Sequence, residues 1–145
     1  YAIALSQVKE VIRLSKITPL PEVPRYFRGM INLRGRIISA LDLSMKLSLQ
    51  TNPQIQKPKR QTVIITEVDG LLIGNIVDDV QEVLGLHDDQ IERQLNITSQ
   101  VSREYIIGVA KVENKPLIIV LDMAKVLNTT ELNQIQRQEQ AQKVA

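Results

Sequence analysis

Short aliphatic runs separated by turns that contain glycine or proline dominate the chain. Two aliphatic runs around a tight turn with glycine predict a β-hairpin, because glycine adopts the positive φ that such turns need. Two such hairpins are predicted, Met30–Leu41 with Arg34-Gly35 at its tip and Gln61–Val77 with Asp69-Gly70 at its tip.

Much of this pattern occurs twice. The run from Tyr26 through Gly29 to Asp42 is repeated from Tyr105 through Gly108 to Asp122. Upstream, Val8–Leu14 is matched by Val80–Leu86. A repeat of this length indicates two similar units, each too short to bury a good core alone.

The predicted fold class is all-β, with two small five-stranded β-barrel subdomains packed through an aliphatic interface. A short helix follows each repeated hairpin, capped by Asp42 and by Asp122. The chain is interpreted as a single domain over 1–145, with subdomain one at about 1–50, a linker at about 51–60, subdomain two at about 61–128 and a tail at 129–145.

Two parts of this picture depend on the comparison of the repeats and on composition. The second unit opens with an additional strand that the first unit lacks, so we expect roughly ten further residues before Tyr1 to form it. The tail is rich in glutamine and has few large apolar residues. It forms either a helix docked by one thin stripe or a frayed end.

Composition excludes several classes of site. The 145 residues include no cysteine, which rules out disulfides, cysteine-ligated metals and a cysteine nucleophile. Lys and Arg number 18 against 16 Asp and Glu, a net charge of only +2. The densest basic cluster, Lys57–Arg60, lies in the linker and is interpreted as solvated.

Catalytic chemistry has little support. His87 is the single histidine, and the neighbouring carboxylates Asp78-Asp79 and Asp88-Asp89 are adjacent in sequence rather than placed across a cleft. The chain has no nucleophile-elbow pattern and no glycine-rich phosphate loop. We therefore predict that it is not an enzyme and that it holds no metal or cofactor.

The hairpin tips are where the repeats differ most. The tip in the first repeat is Asn32–Arg36, and the tip of the corresponding predicted hairpin in the second repeat, between Gly108 and Asp122, is Lys111–Lys115. An arginine on a hairpin presents a planar fork of donors to a carboxylate or a carbonyl group. Arg34 is thus either a partner contact or an ordinary exposed turn residue.

Several motifs occur in order along nearly the whole chain. They are Val8-Lys-Glu-Val-Ile12, Ile17-Thr-Pro-Leu-Pro21, Asn32-Leu-Arg-Gly35 with Asp42, Val80-Gln-Glu-Val-Leu84 and Glu104-Tyr-Ile-Ile-Gly108. Together they resemble the CheW-like family of bacterial chemotaxis proteins.

The resemblance implies a non-catalytic adaptor that couples methyl-accepting receptors to the histidine kinase CheA. One end would pack on the regulatory domain of CheA, and a groove between the barrels would hold the helical tip of the receptor. It implies a cytoplasmic protein associated with membrane-anchored receptor arrays, with no nucleic acid bound and no direct membrane insertion.

Site residues follow from the same match. Arg34 corresponds to the arginine of the Asn-Leu-Arg-Gly motif, Gly29 to the preceding glycine, and Glu10 to the glutamate of the Val-x-Glu strand. Ser39 departs from the pattern, which usually has proline there. The predicted partner-binding residues are Val8, Glu10, Gly29, Ile31, Asn32, Leu33 and Arg34, with Val8, Ile31 and Leu33 lining a groove and Arg34 at its rim.

Two alternatives remain at this point. The chain could be a CheW-like regulatory domain from a larger CheA- or CheV-type protein. A nucleic-acid-binding barrel is suggested by the isoelectric point near 9.0, but such a site needs aromatic stacking platforms and the chain has three Tyr and one Phe.

Overall fold

The computed structural model describes residues 1–49, 54, 60–93 and 101–144, so most of the predicted linker lies outside the described residues. Their helices are α1 (Leu43–Lys46), α2 (Met123–Val126) and the longer α3 (Thr129–Val144). Their strands are β1 (Ala2–Ile3), β2 (Val8–Arg13), β3 (Phe27–Leu33), β4 (Arg36–Asp42), β5 (Thr62–Val68), β6 (Leu71–Val77), β7 (Ile91–Glu92), β8 (Ile106–Ala110) and β9 (Ile118–Leu121).

The locally encoded features are confirmed. β3–β4 and β5–β6 are antiparallel hairpins with the predicted two-residue tips. Asp42 accepts a hydrogen bond from the backbone N–H of Met45 and caps α1, and Asp122 caps α2 in the same way through Ala124. The tail is helical, as α3.

The strands form two sheets, in agreement with a mainly β fold. The first sheet has the order β2-β5-β6-β4-β3 and the second the order β1-β9-β8-β7. Neither is a closed barrel among the described residues, since no ladder joins its two edge strands. At the open side of the first sheet, Thr18 makes one bridge to Met30 of β3. Alternating apolar positions predict strands and their buried sides, but they do not show whether the two edge strands of a sheet pair to close a barrel.

Strand pairing crosses the boundary between the repeats. β6, from the second repeat, lies parallel to β4 of the first, with Gly74 beside Ala40. β1, from the first repeat, lies parallel to β9 of the second, with Ala2 beside Val120. β5 and β6, which follow the predicted boundary near residue 61, belong to the same sheet as the strands of residues 8–42. The division into two subdomains stays a prediction.

The second sheet is the less complete of the two. β1 is one of its edges, and Val80–Leu86, which repeats the sequence of β2, forms no strand. In the first sheet β2 pairs with β5, the strand that precedes β6. The strand that the repeat predicts before Tyr1 stays a prediction.

Buried aliphatic side chains form three clusters. Successive side chains of β4 point to opposite faces, so Ile38 and Leu41 lie in different clusters. The third cluster contains residues of both repeats and forms an aliphatic interface between them. The inner core is Ile31, Ile38, Ala40, Val63, Ile65 and Ile76; the outer core is Phe27, Met30, Leu41, Val68, Ile73, Leu127 and Ile135; the interface core is Leu43, Leu47, Val101, Leu121, Met123 and Val126.

A polar cluster, the seam, also joins the repeats. The Nζ atom of Lys46 lies 4.9 Å from the ring centre of Tyr26 and 5.8 Å from that of the repeat-matched Tyr105. The Glu131 carboxylate, from α3, accepts hydrogen bonds from the Tyr26 hydroxyl and from Lys46, whose ion pair measures 2.9 Å. The side chains of Lys46 and Glu131 are only 10% and 15% exposed, so the seam fixes both repeats and α3 to one another.

Contacts in the seam change the pKa values of two side chains, Tyr26 and Glu131. Burial, and then the hydrogen bond to the Glu131 carboxylate, raise the pKa of the Tyr26 hydroxyl well above its ordinary value. Burial alone would raise the pKa of the Glu131 carboxyl. The hydrogen bonds from Tyr26 and Lys46, with the charge of Lys46, outweigh burial and hold that pKa below its ordinary value of 4.5.

We expect Glu131→Gln to lower the free energy of unfolding by about 1–3 kcal/mol at pH 7. A carboxyl whose pKa is depressed by folding stabilises the protein above its ordinary pKa of 4.5, and this contribution disappears as the pH falls through the lower folded value. Denaturant unfolding at pH 7 and near pH 3 should therefore show the difference between wild type and Glu131→Gln shrinking in acid. The exposed Glu113→Gln is the matched control, and an equal effect of both substitutions would contradict this role of Glu131.

Candidate protein-interaction site

The first hairpin tip is a tightly defined turn. Arg34 and Gly35 have φ values of +52° and +83°, both positive as a type I′ turn requires. The side-chain oxygen of Asn32 accepts a hydrogen bond of 2.7 Å from the backbone N–H of Gly35. Asn32 thus shapes the turn, and the turn carries the Arg34 side chain out into solvent.

Arg34 contacts Glu10, which is another of the predicted partner-binding residues. One guanidinium nitrogen of Arg34 donates to the Glu10 carboxylate of β2 at 2.8 Å. The Arg34 side chain is 76% exposed and that of Glu10 is 26% exposed. Such an exposed pair contributes little to stability, about 0–1 kcal/mol. Arg34 is therefore held in place and still accessible to a partner.

The second repeat contains an equivalent ion pair. Glu82, the repeat match of Glu10, forms an ion pair with Lys115 in the turn between β8 and β9. The link between a strand carboxylate and a hairpin cation is thus a property of the repeated fold. What distinguishes the first tip is the arginine, whose planar fork can bind a carboxylate through two hydrogen bonds.

The other predicted site residues have mixed positions. Ile31 is 5% exposed and lies in the inner core, where Leu33 packs against it. Val8 is partly buried, at the start of β2. The structure therefore brings Glu10, Asn32 and Arg34 to one surface but does not expose Ile31 as a groove wall, because Ile31 points to the inner face of β3.

Gly29 is buried beneath a neighbouring segment. Its φ is +140°, and a Cβ atom placed there would lie 2.2 Å from the carbonyl oxygen of Thr18. Gly108 is equivalent, since a Cβ atom there would lie 2.8 Å from the carbonyl oxygen of Glu92. These glycines let another backbone segment approach the bulged strand. The partner-binding role of Gly29 stays a prediction.

An open groove of about 520 Å³ lies at the C-terminal end of β2 and shares no lining residue with the predicted site. The exposed valines Val11 and Val80, which are 49% and 39% exposed, line its apolar part. Sequence reasoning missed this groove, because valines in aliphatic segments resemble core residues. The available signal was that Val11 alternates with Lys9 and Arg13 on the charged side of β2. The complete lining is Val11, Ile12, Arg13, Arg60, Thr62, Asp78, Asp79 and Val80.

The groove walls combine exposed aliphatic surface with charges of both signs, Arg13 and Arg60 on one hand and Asp78 and Asp79 on the other. Within the described residues, no group of three or more His, Asp or Glu side chains is placed to hold a metal ion. None of the described helices is long and apolar enough to cross a membrane. A groove of this composition suits a protein segment with apolar anchors and flanking charges.

We expect Gly29→Ala to destabilise the fold by about 3 kcal/mol or more, since it adds both backbone strain and a clash with the Thr18 carbonyl. Gly35→Ala is the matched control, because Gly35 also has positive φ but an added Cβ atom meets nothing within 4 Å. Gly35→Ala should lower the free energy of unfolding only by the backbone strain, about 1–2 kcal/mol. Thermal and denaturant unfolding measure both, and equal losses would refute the packing role of Gly29.

Comparisons with known proteins all lead to one family. The family model described as CheW-like domain matches residues 1–131. The chain is 31% identical over 128 residues to chemotaxis protein CheW of Bacillus subtilis, covering 88% of this chain and 80% of that protein. It is 28% identical over 120 residues to chemotaxis protein CheW of Rhizobium meliloti, covering 83% and 76%. The crystal structure of scaffolding protein TtCheW from Thermoanaerobacter tengcongensis superposes with a TM-score of 0.77 at 32% identity, covering 89% of this chain and 86% of that one. The chain with this pair of sheets therefore belongs to the CheW-like family.

Proposed function

We propose that the chain is a non-catalytic chemotaxis adaptor that couples methyl-accepting receptors to the histidine kinase CheA. Membership of the CheW-like family, with relatives named as chemotaxis and scaffolding proteins, supports this function. The observation that carries it is the open groove with exposed Val11 and Val80. The accessible Arg34, held by Glu10, lies outside the lining of that groove and supplies a second candidate contact. In this proposal the protein works in the cytoplasm, associated with membrane-anchored receptor arrays.

The receptor segment is proposed to be an amphipathic helix. Val11 and Val80 would contact its apolar side, while Arg13, Arg60 and the neighbouring carboxylates would face its flanking charges. Arg34, fixed by Glu10, would bind a carboxylate or a carbonyl oxygen of the same partner. The regulatory domain of CheA would pack on one end of the module. The groove itself is a modest contact, so multivalent arrays would supply much of the strength.

The alternatives have weaker support. Tyr26, Phe27 and Tyr105 are buried or half-buried in core and seam positions, and of the four aromatic residues only Tyr1 is exposed. Nucleic-acid binding through stacked bases therefore lacks a platform. Origin from a larger CheA- or CheV-type protein would keep the same groove, and the comparisons do not favour it.

We expect Arg34→Glu to weaken binding of a receptor-tip fragment by roughly 1–3 kcal/mol, because a fork of donors is replaced by a like charge beside Glu10. The melting temperature should change little, since the side chain is exposed. Lys115→Glu makes the same charge change at the equivalent tip and should bind like wild type. Calorimetric titration measures this, and unchanged affinity of Arg34→Glu would remove Arg34 from the site.

The groove has its own test in Val80→Lys. A lysine at this exposed position places a charge where the helix would bury apolar surface, so we expect about tenfold weaker binding of the receptor fragment, or roughly 1.4 kcal/mol. Leu5→Lys alters an exposed aliphatic residue outside the groove and serves as the control. Equal affinities for both variants would show that the receptor binds elsewhere.

A further inference from the structure

Helix α3 covers one face of the first sheet with little apolar contact. Its aliphatic side chains Leu132 and Ile135 pack on the outer core. Most of its other described side chains are exposed and polar. Docking of a helix normally depends on a broader apolar stripe. So narrow a stripe leaves much of the attachment of α3 to polar contacts.

Two carboxylates supply those contacts. Glu131 enters the seam at the first turn of the helix. Two turns later, Glu139 is 9% exposed and accepts hydrogen bonds from the backbone N–H and the hydroxyl of Ser39, at 3.1 and 3.2 Å. Ser39 is completely buried in β4. Hydrogen bonds to a charged group are stronger than neutral ones, but they are directional and are lost after a small displacement.

A pocket open to solvent lies at one flank of α3. It has a volume of about 160 Å³ and lies between Leu132, Asn133 and Gln136 of the helix and the turn between β5 and β6. The side chains that attach the helix are Leu132 and Ile135 through apolar contact and Glu131 and Glu139 through polar contact.

We propose that α3 is a latched cover that detaches from the first sheet while both sheets stay folded. Glu139 on Ser39 is the latch, and the seam at Glu131 keeps the base of the helix attached. Detachment uncovers the part of the outer core that Ile135 contacts.

Native-state hydrogen exchange of the full chain, followed by mass spectrometry, tests this proposal. Amides in the C-terminal half of α3 should exchange faster than those of β4 and β6, because they open without global unfolding. Glu139→Ala should speed exchange of the α3 amides by about tenfold or more and leave those of β6 unchanged.

Gln140→Ala is the matched control, since it places alanine in the same helix at an exposed neighbouring position. Equal exchange rates of α3 in the two variants would overturn the latch. In wild type alone, protection of α3 equal to that of β4 would overturn the cover, so the proposal is decided even if Glu139→Ala does not fold.

Discussion

The two parallel strand pairs, β4 with β6 and β1 with β9, are the constraint on which the rest of the structure depends. Each pair joins strands from different repeats, so neither sheet keeps all its strands if the repeats separate. The interface core and the seam add apolar and polar contacts across the same boundary. The groove depends on the neighbouring antiparallel ladder β2–β5–β6, because one wall is β2 and another is the segment that follows β6.

Comparison of the two repeats distinguishes features that both copies share, and that serve the fold, from a feature that occurs in the first copy alone. Both repeats have a glycine beneath a crossing segment, at Gly29 and Gly108. Both have an ion pair between a strand glutamate and the tip of a hairpin. The chemistry of the tips differs, because arginine forms a rigid fork whereas lysine is a flexible point charge. This difference, rather than the ion pair itself, is the argument for a partner contact at Arg34.

Sequence reasoning succeeded where local chemistry decides the structure. The Arg34-Gly35 turn and the Asp42 cap were predictable because each depends on residues within one turn of chain. The pairing of strands from different repeats was not predictable. A pattern of aliphatic residues shows which side of a strand is buried, but it does not show which other strand pairs with it. Ile31 shows the same limit, since its place in a motif did not indicate that it faces the inner core.

The candidate site was predicted in part for similar reasons. Glu10 and Arg34 were grouped through family resemblance, and they form an ion pair in the structure. Val11 and Val80 are far apart in sequence and look like core residues, so only the pairing of β2, β5 and β6 brings them to one groove. The attachment of α3 through Glu139 was equally hidden, because it depends on a serine in a distant strand.

The proposed coupling role is tested most directly by reconstitution from purified components: receptors in lipid discs, the histidine kinase CheA and the full chain. Autophosphorylation of the kinase is measured with and without the chain, and with and without receptor ligand. Receptor ligand is expected to change kinase activity only when the chain is present, and the chain itself is expected to turn over no substrate. Equal control of the kinase by receptor in the absence of the chain would contradict it.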